Sequence, residues 1–147
     1  MKLAVLTPNV SALAQPTAEE VSELADRGYR SIIGNRPDDE APDQPKWHDV
    51  KAAALARGME AVHIPVVASQ IDESDVRAFR EALEHLPKPI AAFCRTGTRS
   101  TLLWALANEA ELTADERIRI AATAGFDLEP FRGLLAGANA APASKTA

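Results

Sequence analysis

Short apolar runs with the period of a strand alternate along this chain with longer stretches of helical period, the pattern of an α/β domain around a largely parallel sheet. Thr17-Ala18-Glu19-Glu20 reads as a capping box. Val21, Leu24 and Ala25 fall on one face of the helix it opens, and Gly28 stops that helix. Tyr29 to Ile33 then reads as a strand. Asn35 to Lys46 mixes Pro37, Pro42 and Pro45 with Asp38, Asp39, Glu40 and Asp43, too many breakers and charges for a regular element, and is read as a solvated loop. A helix over Trp47 to Arg57 ends at Gly58 and gives way to a strand through Ala61, Val62, His63 and Ile64. Val76, Phe79, Leu83 and Leu86 mark the buried stripe of a third helix, stopped before Pro87 and Pro89.

Ile90-Ala91-Ala92-Phe93 is a short apolar run between prolines and Cys94, as expected of a buried central strand. Leu102 to Ala107 is apolar nearly all round, which suits a helix in the middle of the domain. Thr113 with Glu116 caps a further helix ended by Gly125, and another opens at Asp127. From Gly137 the Ala-, Pro- and Ser-rich sequence has little to bury and reads as a disordered tail. The domain therefore spans residues 1–136 and the tail 137–147.

Composition narrows the picture. At 147 residues and 46% hydrophobic, the chain can bury one core and is too short for two ordinary domains. A net charge of -5 offers no basic surplus to neutralise a run of phosphates, so no nucleic-acid partner is expected. Any bound anion is held locally. The single cysteine cannot pair within the chain, which fits a reducing compartment and excludes a cysteine metal cluster. Met1 to Leu6 is too short for the apolar core of a signal peptide, and no stretch reaches bilayer-spanning length, so a cytoplasmic protein without a membrane partner is expected.

The chemistry concentrates in Cys94-Arg95-Thr96-Gly97-Thr98-Arg99-Ser100, which lies between the central strand and the central helix. A loop in that position aims its amides at the helix N-terminus, where partial positive charge collects and anions bind. A cysteine in the same field, with Arg99 beside it, is favoured as thiolate. Gly97 permits positive φ or close approach to a ligand. Arg99 can grip two oxyanion oxygens with its planar fork, and Ser100 can cap the following helix or support the thiolate. Arg95, Thr96 and Thr98 contribute loop amides to the cradle. A lone cysteine at a strand end is more often a small buried hydrophobe. Its company of Gly97, Arg99 and Ser100 in a strand-loop-helix setting moves the reading to a nucleophile.

The segments Thr7-Pro8-Asn9, Gln15-Pro16-Thr17, Asn35-Arg36-Pro37-Asp38, His63-Ile64-Pro65-Val66 and Cys94 through Thr101 resemble the bacterial phosphatase-like domain named after its occurrence beside a β-lactamase-like hydrolase, a branch of the tyrosine-phosphatase fold. The resemblance runs from about Leu6 to Leu135. It implies a single three-layer domain with a mostly parallel four- or five-stranded sheet flanked by helices, and catalytic roles for Cys94 and Arg99. Two features depart from the tyrosine-phosphatase pattern: Phe93 replaces the usual histidine before the cysteine, and only four residues separate Cys94 from Arg99. That shorter loop resembles the one in rhodanese-type sulfurtransferases. The family's general-acid position, just after Ile64-Pro65-Val66, holds Val67 and Ala68. Asp72 or the acidic loop at Asp38 and Asp39 could substitute, although Asp72 also reads as a helix cap.

Three functions follow. In the first, which the short loop and the empty general-acid position favour, Cys94 takes sulfane sulfur from thiosulfate or a small persulfide and hands it to a thiol acceptor. In the second, Cys94 forms a thiophosphate and Arg99 holds the equatorial oxygens. In the third, the pocket binds an anion or senses redox state without turnover. None calls for a cofactor or metal. The substrate is a small anion or persulfide, and the family's occurrence beside sulfide-handling enzymes suggests a sulfide-oxidation enzyme as partner. His63 is an accessory candidate, weighed against a histidine satisfied by packing or by the backbone. His48 and His85 lack metal-ligand spacing to one another and read as surface residues.

Overall fold

The computed structural model describes residues 1–137. Five strands, β1 (Ala4–Thr7), β2 (Val10–Ala14), β3 (Ser31–Gly34), β4 (Glu60–His63) and β5 (Ile90–Cys94), form one sheet in the order β1-β2-β5-β3-β4. Only β1 runs antiparallel to its neighbour; β2, β5, β3 and β4 are parallel. Five helices pack on it: α1 (Ala18–Asp26), α2 (Trp47–Ala56), α3 (Glu73–His85), α4 (Thr98–Ala107) and α5 (Ala114–Ala124). A short turn at Glu129–Phe131 and helical residues 132–137 close the described part. Beyond Gly137, the tail expected from the sequence lies outside the described residues.

The strand period of two divides the core. Leu13, Ile32, Ala91 and Phe93 point to one face, where Val21 and Leu24 of α1 and Val50 and Ala54 of α2 cover them. Ala12, Ile33, Ile90 and Ala92 point to the other, beneath Phe79 of α3, Leu102, Leu103 and Leu106 of α4 and Ile118 of α5. This is a three-layer α/β domain. Because both faces of β5 are covered, all five of its residues are buried, and its sequence shows a continuous apolar run without alternation.

The helix boundaries follow local signals. Thr17 and Glu20 form the capping box of α1, with the Glu20 amide donating to the Thr17 hydroxyl oxygen at 3.1 Å and the Thr17 amide to the Glu20 carboxylate at 2.9 Å. Thr113 and Glu116 repeat the device on α5, which Gly125 ends in the left-handed region at φ 104°. The β1–β2 hairpin was not legible in the sequence. Val10-Ser11-Ala12-Leu13-Ala14 has neither alternation nor the bulky β-branched run of a strand, since β2 is an interior strand whose small residues sit under helices on both faces.

Candidate active site

Ala14, Gly34 and Cys94 end β2, β3 and β5. The C-terminal ends of parallel strands are where open α/β sheets bind ligands. The residues that follow, Gln15, Asn35 with Arg36, and Arg95, therefore converge from distant parts of the sequence. Two main-chain bonds fasten these exits: the Asn35 amide donates to the Phe93 carbonyl at 2.8 Å, and the Gln15 amide to the Arg95 carbonyl at 3.3 Å.

Cys94 lies at the floor of the loop, only 1% exposed, and the Gly97 amide donates to its sulfur at 3.1 Å. Gly97 is held at φ 99°, and a β-carbon at this position would stand 2.8 Å from the Phe126 ring and 3.3 Å from the Leu13 backbone. Glycine is thus required both by conformation and by space. The α4 helix begins at Thr98 without a side-chain cap on Gly97. Instead, Thr101 fastens the first turn, its amide and hydroxyl both donating to the Gly97 carbonyl, at 3.0 and 2.8 Å. The first-turn amides, which have no partner within a helix, face the loop and carry the positive end of the dipole.

Ser100 corrects its sequence reading. Its hydroxyl neither caps α4 nor supports the sulfur; it donates to the Asn35 side-chain oxygen at 2.8 Å, and the Asn35 amide group donates to the Ile64 carbonyl at 2.9 Å. All of this is buried, so the chain of bonds ties α4 to the exits of β3 and β4.

Arg99 carries the geometry that matters most. Its two terminal nitrogens donate to the two carboxylate oxygens of Glu40, at 2.6 and 2.9 Å, a fork-on-fork pair. It also donates to the Val66 carbonyl at 2.9 Å. Arg36, 7% exposed, donates its Nε to the same Glu40 carboxylate at 3.0 Å and a terminal nitrogen to the Gln15 side chain at 3.3 Å. One carboxylate thus fills the fork of Arg99 and accepts one further bond from Arg36. The Arg99 guanidinium holds the Glu40 carboxyl below its ordinary value against a smaller opposing effect of burial, with Arg36 adding to the lowering. Reciprocally, the pKa of Arg99 is raised, first by Glu40 and, against an opposing effect of burial, by the charge of Cys94. Arg99 and Glu40 therefore form a salt bridge at the end of the loop that Cys94 opens.

Two open cavities flank this bridge. One, of about 380 Å³, is lined by Arg36, Glu40, Arg95 and Arg99 together with Ala41 and Pro42. The other, of about 250 Å³, lies across Arg95 and Arg99 against Thr96, Thr98, Leu102 and Phe131. Arg95 belongs to both. Thr96 and Thr98 stay on the rim, hydroxyl to hydroxyl at 3.1 Å.

The accessory candidates fall elsewhere. Asp38 accepts from the Trp47 amide at 2.9 Å and so caps α2 from across the loop. Asp72 caps α3, accepting from the Asp75 amide at 3.0 Å and the Ser74 hydroxyl at 2.6 Å, and the Ser74 bond lowers its pKa. His63 stacks on Trp47 with ring centroids 4.8 Å apart, and its Nε2 lies 3.0 Å from the Arg36 carbonyl. It buttresses the backbone that carries Arg36. That stacking needs Gly34, where a β-carbon would approach Trp47 to 2.7 Å. Glu40 and Arg36 are the residues that sequence reasoning undervalued. Two opposite charges four positions apart were the only local signal, and the partner that gives them meaning, Arg99, lies 59 positions away from Glu40.

The sequence profile of the family described as "Beta-lactamase hydrolase-like protein, phosphatase-like domain" matches residues 2–111. The chain belongs to that family. A β-lactamase hydrolase-like protein of Xylella fastidiosa (strain Temecula1) is 35% identical over 130 residues, covering 87% of this chain and 30% of the relative. The chain thus spans about a third of the length of the curated relatives it matches. Among solved structures, a candidate phosphatase from Neisseria meningitidis is 36% identical with a TM-score of 0.87, covering 94% of this chain and 99% of that one. TpbA of Pseudomonas aeruginosa, at 17% identity and a TM-score of 0.62 over 91% of this chain and 90% of that one, shares the fold. A second crystal structure of TpbA holds pTyr. This phosphatase-like domain is accordingly a cysteine-centred member of the tyrosine-phosphatase fold, and among its described residues no helix is long and apolar enough to cross a membrane.

Proposed function

We propose that this domain is a phosphatase that hydrolyses phosphate monoesters through Cys94. The carrying observation is the fork of Arg99, which already grips a two-oxygen anion at the end of the loop that Cys94 opens. A phosphoryl group offers the same two oxygens to that fork and places its phosphorus over the sulfur. The names of the family and of its Neisseria relative point the same way.

The chemistry is a double displacement. The Cys94 thiolate attacks phosphorus, forming the S–P bond as the ester P–O bond breaks, and the leaving oxygen collects a proton. Water then attacks the thiophosphate, releasing phosphate and returning the thiolate. The Gly97 amide and the first-turn amides of α4 stabilise the sulfur before attack and after release, and Arg99 stabilises the charge on the equatorial oxygens. Arg36 and Arg95 add positive charge at the mouth, which favours an anionic substrate.

A second reading, sulfane-sulfur transfer through a Cys94 persulfide, is favoured by one observation: four residues between Cys94 and Arg99 make a smaller cradle, which suits a single sulfur better than a tetrahedral group. One experiment separates the two. Purified protein is assayed with an aryl phosphate and, separately, with thiosulfate plus cyanide. Phosphate release that disappears in Cys94→Ser is the expected result. Thiocyanate release that disappears in the same variant, with one added sulfur on the protein by mass spectrometry and no phosphate release, would instead establish sulfur transfer.

A further inference from the structure

The phosphatase reading leaves a gap. The leaving oxygen needs a proton, and the position just after Ile64-Pro65-Val66 is filled by Val67, 45% exposed, and Ala68. Asp38 and Asp72 are committed as helix caps. We infer that Glu40 is the proton donor: its carboxylate holds the cationic slot at rest, and the substrate's phosphoryl group takes Arg99 from it and leaves it beside the departing oxygen. This inference rests on the phosphatase reading.

Three observations carry it. First, position: Glu40 is held by Arg99, which stands in the loop that Cys94 opens, so the carboxylate faces the same loop as the nucleophile. A phosphoryl group held by that guanidinium sits between the two, with its ester oxygen on the side away from the sulfur, as in-line displacement requires. Second, the support is independent of the ion pair. The Gln44 side chain accepts from the amides of Glu40 and Ala41 at 3.0 and 3.2 Å and donates to the Pro37 carbonyl at 2.8 Å. The loop backbone therefore stays in place when the carboxylate lets go of Arg99. Third, the surroundings switch with occupancy. At rest Glu40 faces Arg99 from α4 and Arg36 from the exit of β3, with Arg95 across the cavity, and Arg99 and Arg36 favour the carboxylate. A bound phosphoryl dianion withdraws Arg99 and adds negative charge nearby, and both changes favour the protonated acid.

The proton balance closes. Glu40 gives its proton to the leaving oxygen as the P–O electron pair moves there, and the resulting carboxylate accepts a proton from the water that attacks the thiophosphate.

The test uses the full chain with two substrates, phenyl phosphate, whose leaving group needs the proton, and 2,4-dinitrophenyl phosphate, whose leaving group does not. Glu40→Gln is expected to lower kcat for phenyl phosphate by about 10²-fold or more, and for the dinitrophenyl ester by less than about tenfold. The same variant is expected to lose the fall in kcat at high pH that deprotonation of the acid imposes. Similar losses on both esters together with a lower Tm would overturn the inference, reducing Glu40 to a structural tie. Faster turnover of both with a lower KM would also overturn it, leaving the carboxylate a plug. If the wild type hydrolyses neither ester, the phosphatase reading itself fails and the proton donor goes with it.

Discussion

Two arginines on the face of the sheet covered by α3, α4 and α5, Arg99 and Arg117, share a chemical group and differ in what it is tied to. Arg117 on α5 is completely buried and donates to three main-chain carbonyls, those of Thr113 at 3.2 Å, Ala105 at 2.8 Å and Leu135 at 3.4 Å. It joins the C-terminal end of α4, the start of α5 and the closing helical residues, and burial lowers its pKa against a smaller opposing effect of Glu109. Carbonyls in helices cannot leave. Arg99 has one such carbonyl, from Val66, and otherwise holds a carboxylate on a surface loop. A side chain can rotate away, so the Arg99 fork is open to exchange while the Arg117 fork is committed. The same guanidinium is a structural staple in one place and, under the proposed function, a receptor in the other, and the mobility of the partner decides which.

The strongest way to break this comparison is to remove Arg99. Arg99→Ala is expected to lower kcat/KM for an aryl phosphate by about 10³-fold while shifting Tm little, since its partner Glu40 is free to turn to solvent. Arg99→Lys should recover only a small part, because a point charge cannot replace the fork. Arg117→Met is expected to do the opposite. It should cost about 2–4 kcal/mol in urea unfolding by removing three buried hydrogen bonds that tie α4, α5 and the closing residues together, with kcat for the same ester unchanged. Equal stability losses at both positions would erase the distinction.

Gly97→Ala sharpens it from the loop side. Positive φ and the approach to Phe126 predict a loss of about 1–3 kcal/mol together with weaker binding of inorganic phosphate, read by calorimetry. The smallest effect is a pH dependence confined to the Arg99 region. The folded state holds the pKa of Glu40 below its unfolded value of 4.5, so the pair stabilises the protein fully above that value. That contribution is lost as pH falls through the lowered folded value. Unfolding of wild type and Glu40→Gln compared between about pH 3 and 6 should show curves that converge toward the acid end. Arg117, bonded to carbonyls that do not titrate, should add no such slope of its own.

Much of the fold was legible because its signals are local. Thr17 with Glu20 and Thr113 with Glu116 fix helix starts through bonds spanning three residues, and Gly28, Gly58 and Gly125 stop helices through their own φ. The interior hairpin strand Val10–Ala14 escaped because burial on both faces removes the alternation that marks a strand. Within the site, Cys94, Gly97 and Arg99 were legible as a loop opening a helix, since the chemistry of that loop is set by neighbours in the chain. Ser100 was misread because its partner, Asn35, is 65 positions away.

By itself, then, the sequence determined the α/β architecture, most helix boundaries and the loop from Cys94 to Arg99 that opens α4, all of which depend on interactions within a few residues. Tertiary structure alone decided that Glu40 fills the fork of Arg99 and pairs with Arg36, that Asp38 serves α2, and that His63 stacks on Trp47. The physical reason is the parallel sheet. It delivers the exits of β2, β3 and β5 to one place, and the long-range charge pairs formed there leave no periodicity in the chain from which to read them.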